Sequence, residues 1–313
     1  MKAALLTSFQ REFQILDIDP KLEMDDVLLN VKATGICGRD LVIWKGGFAN
    51  LKPPLILGHE IFGELDGLPK AVYPALNCGN CEYCRSNMEN LCTSLSFLGE
   101  NRFGGYAEQV AISRDSLLDL PDRDYEKYAA TMCPIATAIH ACKLVDVEDK
   151  KVLVTGAGGG VGIHAIQYLK LKGAKVIAIT SEHKLKFVEK YADQAITEKA
   201  FSKIVKNVDV VFEIVGSATI NESLRALKRQ GTLVLIGNLE GNEISLQRPA
   251  LFIMREHRII GSAAYTKQDF KEALSIVSRY IDPYYTPYRL DQINDAYRDL
   301  LSNKIVGRGI IYF

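Results

Sequence analysis

The chain has 313 residues, enough for two domains with a core in each. Its 38 basic and 38 acidic residues cancel, which removes any electrostatic case for nucleic acid or a membrane surface as partner. No apolar run reaches the length of a membrane span or a signal-peptide core, so the cytoplasm is the expected compartment.

Residues 1–115 read as short strands and loops. VLLNVKATGI (27–36) is strand-like, and GGYAEQVAI (104–112) reads as a strand entered from a glycine turn. Between them lie Cys78, Cys81, Cys84 and Cys92, spaced C-x2-C-x2-C-x7-C in a loop-rich segment. Four thiolates so close can surround one tetrahedral Zn²⁺, whereas disulfides would strain such short loops. Cys37, His59, Glu60 and Cys133 form a second, dispersed set, of the kind that binds a catalytic metal. Thiolates committed to metal fit a reducing compartment, and Cys142, the one cysteine outside both sets, reads as a small buried hydrophobe.

From about residue 124 the texture changes. YEKYAATMCPIATAIHACKLV (125–145) predicts a helix interrupted at Pro134, since proline removes a backbone donor. KVLVTG (151–156), KVIAIT (175–180), VDVVFEIVG (208–216) and GTLVLIG (231–237) read as buried strands. They alternate with helical VGIHAIQYLKLKG (161–173), HKLKFVEKYA (183–192) and NESLRALKRQ (221–230). Such alternation indicates an α/β unit with a parallel sheet covered on both faces. After Thr266 come two amphipathic helices, KQDFKEALSIVSRY and INDAYRDLLSN, and the strand GRGIIYF.

VLVTGAGGGVG places Gly156, Gly158, Gly159, Gly160 and Gly162 between a strand and a helix. Missing side chains let backbone N–H groups and a helix N-terminus approach a pyrophosphate. The frame is G-x-G-x-x-x-G or, equally, G-x-x-G-x-x-G, within a β-α-β unit that indicates dinucleotide binding. An acidic residue after the second strand usually selects NAD. Here Thr180, Ser181 and Lys184 occupy that stretch and suit a 2′-phosphate, favouring NADP, with NAD the alternative because Glu182 lies among them. Gly216 and Gly237, which end the two later strands, complete the expected cofactor-binding set.

TGICGRD (34–40), GHEIFG (58–63), CGNCEYC (78–84), GGYAE (104–108), MCPIATA (132–138), the glycine unit and a final GRGII occur in this order. Over essentially its whole length the chain resembles the zinc-containing medium-chain dehydrogenase/reductase (alcohol dehydrogenase) family. The resemblance implies a GroES-like, mainly β catalytic domain (1–134 and 265–313) and a Rossmann domain (135–264). It implies two Zn²⁺ per chain: a catalytic ion on Cys37, His59 and Cys133, with Glu60 as exchangeable fourth ligand, and a structural ion on the cysteine cluster. Asp40 would orient His59, Thr137 and Val161 would meet the nicotinamide, and Arg308 would reach the pyrophosphate. Hydride transfer between NAD(P) and a small alcohol, aldehyde or ketone is the implied reaction, in a homodimer or homotetramer paired through residues near 231–254.

Two departures from the family pattern bear on this. EIFGELDGLPKAVYPALN (60–77) is shorter than the usual segment. Arg39 stands where alcohol dehydrogenases carry a hydroxyl that relays the alcohol proton, and a guanidinium does not deprotonate. It could bind an anionic substrate group or point into solvent. Arg39 and the glycine loop favour an NADPH-dependent enoyl-thioester or quinone reductase as the competing reading, and a non-catalytic NADP-binding protein is the third. Pocket shape is expected to depend on Trp44, Phe48, Leu98 and Tyr265.

Overall fold

The computed structural model describes residues 1–313. They form two compact units, Met1–Cys133 with Thr266–Phe313, and Pro134–Tyr265. Each border lies one residue from the division at 134/135 and 264/265 expected from the sequence.

The first unit begins with an antiparallel pair, β1 (Lys2–Leu5) and β2 (Gln14–Asp17). Then follow β3 (Asp26–Ile36), α1 (Gly38–Trp44), β4 (Glu60–Leu65), β5 (Leu68–Val72), β6 (Ala75–Leu76), α2 (Glu82–Arg85), β7 (Ser96–Phe97), β8 (Gln109–Ser113) and β9 (Leu117–Asp119). α3 (Tyr125–Leu144) leads into the second unit. There β10 (Lys151–Val154), α4 (Gly160–Leu171), β11 (Lys175–Ile179), α5 (Leu185–Val188), β12 (Gln194–Ile196), β13 (Val208–Glu213), α6 (Ile220–Ala226), β14 (Leu227–Leu235), α7 (Pro249–Arg255) and β15 (Arg258–Gly261) follow. The chain ends in the first unit with α8 (Lys267–Tyr280), β16 (Tyr285–Arg289), α9 (Ile293–Leu301) and β17 (Arg308–Tyr312).

The main sheet of the first unit runs β16-β17-β3-β4-β5-β9, with β8 also paired to β3. Its register builds the chemistry. β3 and β4 are antiparallel with Gly35 opposite Glu60, so the residues just after β3 meet those at the start of β4. β17 pairs antiparallel on the other side of β3, with Gly309 opposite Ile36, which sets Arg308 beside the same turn. Gly35 has no substitute here: a Cβ would lie 1.8 Å from Glu60 Oε2.

In the second unit six parallel strands run β12-β11-β10-β13-β14-β15, and the order reverses between β10 and β13. Alternate side chains enter two cores. Val152, Val154, Val176, Ala178, Val210 and Phe212 fill one face, while Leu153, Ile177, Ile179, Val211 and Leu233 fill the other. Ligands bind at such a reversal, outside the carboxyl ends of the strands.

Three helices differ from expectation. α3 runs without interruption through Pro134. Every residue from 128 to 139 is buried, so packing on all sides outweighs the one backbone hydrogen bond that proline removes. The helix expected over 221–230 stops at Ala226, because Leu227 is fully buried and pairs with Val208 as the start of β14. The helix expected over 183–192 shrinks to a 3₁₀ turn and α5, where Val188 is the one hydrophobic side chain that reaches the core.

A buried carboxylate ties the end of β13. Glu213 is wholly inside, and its oxygens accept from the hydroxyls of Thr155, Thr219 and Ser223 and from the N–H groups of Val215 and Gly216. Glu213→Ala strands these donors in the interior and is expected to destabilise the protein by about 3 kcal/mol, measured by urea unfolding.

Candidate active site and metal centres

Cys37 is the single residue between the end of β3 and the start of α1, which it caps. Asp40, in the first turn of α1, accepts the Cys37 N–H at 2.9 Å and thereby fixes the turn. The same carboxylate, fully buried, accepts the Tyr106 hydroxyl at 2.9 Å and lies 3.2 Å from His59 Nδ1. His59 thus keeps Nε2 for a cation, the arrangement common in metal-ligating histidines. Cys133 comes from α3 and Glu60 from the first position of β4. The ligand atoms of Cys37, His59, Glu60 and Cys133 all lie within 4.8 Å of one another.

The donor set fits Zn²⁺. Both carboxylate oxygens of Glu60 are buried without a hydrogen bond, and Arg308 Nη2 approaches Oε1 at 2.8 Å as an ion pair lacking hydrogen-bond angles. A hydrogen bond from Cys133 pulls the Cys37 thiol well down despite burial, with Arg308 and His59 adding to the effect. That same hydrogen bond, together with burial, pushes Cys133 up. Burial raises Glu60 to about 7 against the opposing charge of Arg308. Two thiols, one imidazole and one carboxylate, all but Cys37 buried, match the N, S and O ligands of a four-coordinate site.

The cysteine cluster closes on itself. Cys78 and Cys92 are 3.5 Å apart, as are Cys81 and Cys84, with all four sulfurs within 4.8 Å and none in a disulfide. The N–H groups of Cys78 and Ser94 donate to Cys92 Sγ, and those of Cys84 and Thr93 draw Cys81 down to about 6. Donors aimed at sulfur favour thiolates, which a structural Zn²⁺ requires.

In the second unit the glycine loop joins β10 to α4 at the sheet reversal. Gly159 is the N-cap of α4 and no side chain caps that end. Gly162 is held where a Cβ would fall 2.2 Å from Gly156 O, so the loop folds back on its helix only with glycine. Gly158 faces the end of β11: a Cβ there would be 2.7 Å from both Lys184 Cβ and Thr180 Oγ1. Thr180 Oγ1 is buried without a hydrogen bond, and Lys184 is buried, which lowers its ammonium to about 8. Ser181 is half-buried beside them, while Glu182 and His183 are exposed. Gly160 and Val161 form the first turn of α4, Gly216 and Gly237 follow β13 and β14, and Thr137 is buried on α3.

Comparison with known proteins is consistent across the chain. The zinc-binding dehydrogenase profile matches residues 160–279, and the alcohol dehydrogenase GroES-like domain profile matches residues 23–122. An acryloyl-coenzyme A reductase of Metallosphaera sedula is 32% identical, with 99% of each chain covered. An NAD-dependent alcohol dehydrogenase of Sulfolobus acidocaldarius is 30% identical, again over 99% of each. The crystal structure of the alcohol dehydrogenase from Aeropyrum pernix superimposes with a TM-score of 0.90 at 28% identity, covering 100% of both chains. The chain belongs to the zinc-containing alcohol dehydrogenase family. It is an NAD(P)-dependent oxidoreductase with a GroES-like domain and a Rossmann-type parallel sheet.

Within this dehydrogenase several further residues have defined surroundings. Arg308, expected at a pyrophosphate, is buried against Glu60 and directs Nη1 to Ile36 O at 3.5 Å, because β17 pairs with β3, while its Nε and Nη2 make no hydrogen bond. Arg39 is partly exposed yet held in place: it makes a two-pronged ion pair with Glu100 and stacks on Phe48. Leu98 is fully buried in the sheet core, and Trp44 donates to Arg11 O and packs on Tyr297, so both support the fold. Sequence reasoning missed Glu100, Phe97, Tyr106 and Glu213. Of these, only Tyr106 carried a signal, its place in the quoted GGYAE motif.

Asp40→Ala is expected to weaken cation binding at the Cys37 set about 10–100-fold. The check is chelator competition against Co²⁺, followed by the thiolate charge-transfer absorption.

Proposed function

We propose that this dehydrogenase transfers a hydride reversibly between NADP(H) and an alcohol or carbonyl compound. Cys37, His59 and Cys133 hold a catalytic Zn²⁺, with Glu60 as the exchangeable fourth ligand. The observation that carries this reading is the set of four ligand atoms within 4.8 Å, three of them on buried residues, that includes a buried carboxylate without a hydrogen bond. Bound there, Zn²⁺ supplies Lewis-acid polarisation of a substrate oxygen, and the nicotinamide gives or takes the hydride.

The chain's own residues prepare that step. Asp40 orients His59 and anchors the Cys37 turn. Arg308 offsets the negative charge of Glu60 and the thiolates, which keeps an anionic set tolerable in the interior. Cys78, Cys81, Cys84 and Cys92 hold a second, structural Zn²⁺. Lys184 and the buried Thr180 hydroxyl, both beside Gly158, favour a 2′-phosphate, which supports NADP over NAD, while Glu182 is exposed.

A second reading, reduction of an enoyl thioester by NADPH, is favoured by one observation: Arg39, bound to Glu100, replaces the proton-relay hydroxyl. It also accords with the acryloyl-coenzyme A reductase relatives. Assembly into a dimer or tetramer through the β15 edge is supported by the exposed Ile253 and Met254 on α7. No helix is long and apolar enough to cross a membrane. None of the seven cysteines is in a disulfide, which suits a reducing compartment such as the cytoplasm.

Metal analysis of the purified enzyme is expected to give about two zinc ions per chain. Cys133→Ser abolishes turnover with loss of one ion. Cys84→Ser loses the other and lowers the melting temperature, with kcat kept within about threefold, since a structural site acts through stability. Carbonyl reduction that survives removal of zinc from the Cys37 set overturns the mechanism.

Lys184→Ala is expected to raise KM for NADPH about 10–100-fold, the loss of one charge-assisted contact, with little change for NADH. In the wild type the ammonium is charged below about pH 8 and neutral above it. KM for NADPH therefore rises as pH increases through that value, while KM for NADH stays nearly level; steady-state kinetics over this range are the check.

A further inference from the structure

Arg39 lies between the Cys37 ligand and its anchor Asp40, yet the chemistry above gives it no task. Its Nε and Nη2 donate to the two oxygens of Glu100, the second at 3.0 Å. The Phe48 ring is 4.6 Å from the guanidinium carbon and the Phe97 ring 5.5 Å. Phe97 also packs edge-on against His59, with centroids 5.4 Å apart, so a single aromatic ring separates the guanidinium from a catalytic ligand. Glu100 is nearly inaccessible, at 7% exposure of its side chain, whereas Arg39 is 41% exposed. Nη1 makes no hydrogen bond to the protein, and the side chain as a whole is partly exposed.

A flexible surface arginine loses rotamer entropy whenever it grips a ligand. This one is already immobilised by two bonds and two rings, and only its outer edge is unspent. Such preorganisation lowers the cost of binding. Glu100 also decides what can bind. The guanidinium charge is already balanced by a buried carboxylate, so a second full negative charge on the outer edge would be repelled by Glu100. A neutral carbonyl oxygen gains a charge-assisted hydrogen bond without that repulsion.

We propose that Arg39 is the specificity-determining residue of this site: its Nη1 edge binds the neutral carbonyl oxygen of an ester or thioester group in the substrate, next to the carbon that exchanges the hydride. The inference rests on the zinc-dependent reaction proposed for the Cys37 set and names its substrate class, a 3-oxo or 3-hydroxy acyl compound.

The test uses the zinc-loaded enzyme with three ketones of similar size: ethyl acetoacetate, acetoacetate and 2-pentanone. Wild type is expected to prefer ethyl acetoacetate, chiefly through KM. Arg39→Met lowers the ethyl acetoacetate to 2-pentanone ratio of kcat/KM about 10–100-fold, and Arg39→Lys restores part of it. Calorimetric Kd values for ethyl acetoacetate, taken with oxidised cofactor so that no turnover occurs, move in parallel. Glu100→Gln, which keeps the shape and removes the compensating charge, shifts preference towards acetoacetate. Should Arg39→Met fold poorly, this second variant and the wild-type preference decide the matter. Equal losses for ester and simple ketone, or a wild type that prefers acetoacetate, overturn the role of Arg39 while leaving the zinc reaction standing. A zinc-replete enzyme inactive on all three ketones with NADPH and NADH overturns the reaction and this inference with it.

Discussion

A fully buried carboxylate, that of Asp40, holds the catalytic corner together. A charge removed from water is tolerated only when its lone pairs are met, and here a backbone N–H, a tyrosine hydroxyl and an imidazole meet them. Each donor arrives from a different place in the chain: the end of β3, the glycine turn before β8, and the residue just ahead of β4. The carboxylate therefore rewards only one arrangement of three segments, and that arrangement brings Cys37 and His59 together. Tyr297 on α9 backs Tyr106, with hydroxyls 3.5 Å apart, so the C-terminal helix takes part in the same constraint.

Glu213 does for the second unit what Asp40 does for the first. Both are buried acids whose bonds close a turn directly after a strand, and both lie beside the groups expected to bind a ligand. Regular sheet structure satisfies its own backbone but leaves the turns at strand ends unsupported. An internal acceptor with several donors rigidifies such a turn without a ligand. The glycine loop, one strand away at the reversal of the sheet, is thereby framed by a fixed neighbour.

Electrostatics divide the arginines of the first unit into two tasks. Arg308 is almost wholly enclosed and balances an anionic ligand set from behind. Arg39 is partly exposed and is itself balanced by Glu100, which turns a potential anion receptor into a nearly neutral hydrogen-bonding edge. The same side chain in the same family position would bind a different class of group if residue 100 were neutral. In the proposed reading, reaction class depends on the metal corner, and substrate class on what compensates one guanidinium.

Local pattern made much of this legible from residue order alone. The cysteine spacing, the glycine loop after a buried strand, the amphipathic α8 and α9 and the ordered family motifs depend on neighbours a few residues apart. Helix extents failed where burial overrode them: α3 passes through Pro134 inside an apolar interior, and Leu227 leaves a helical-looking segment for the sheet. The partners of Arg39 and Arg308 were invisible for a different reason. Glu100 is 61 residues from Arg39, and Glu60 meets Arg308 only because β17 and β4 flank β3 in one register. By itself the sequence determined the family from the order of its motifs, and spacing marked out the cysteine cluster and the glycine loop; the dispersed Cys37 set was expected from the family resemblance. Only the tertiary structure decided which charges meet, because strand register, not chain proximity, brings side chains within bonding distance.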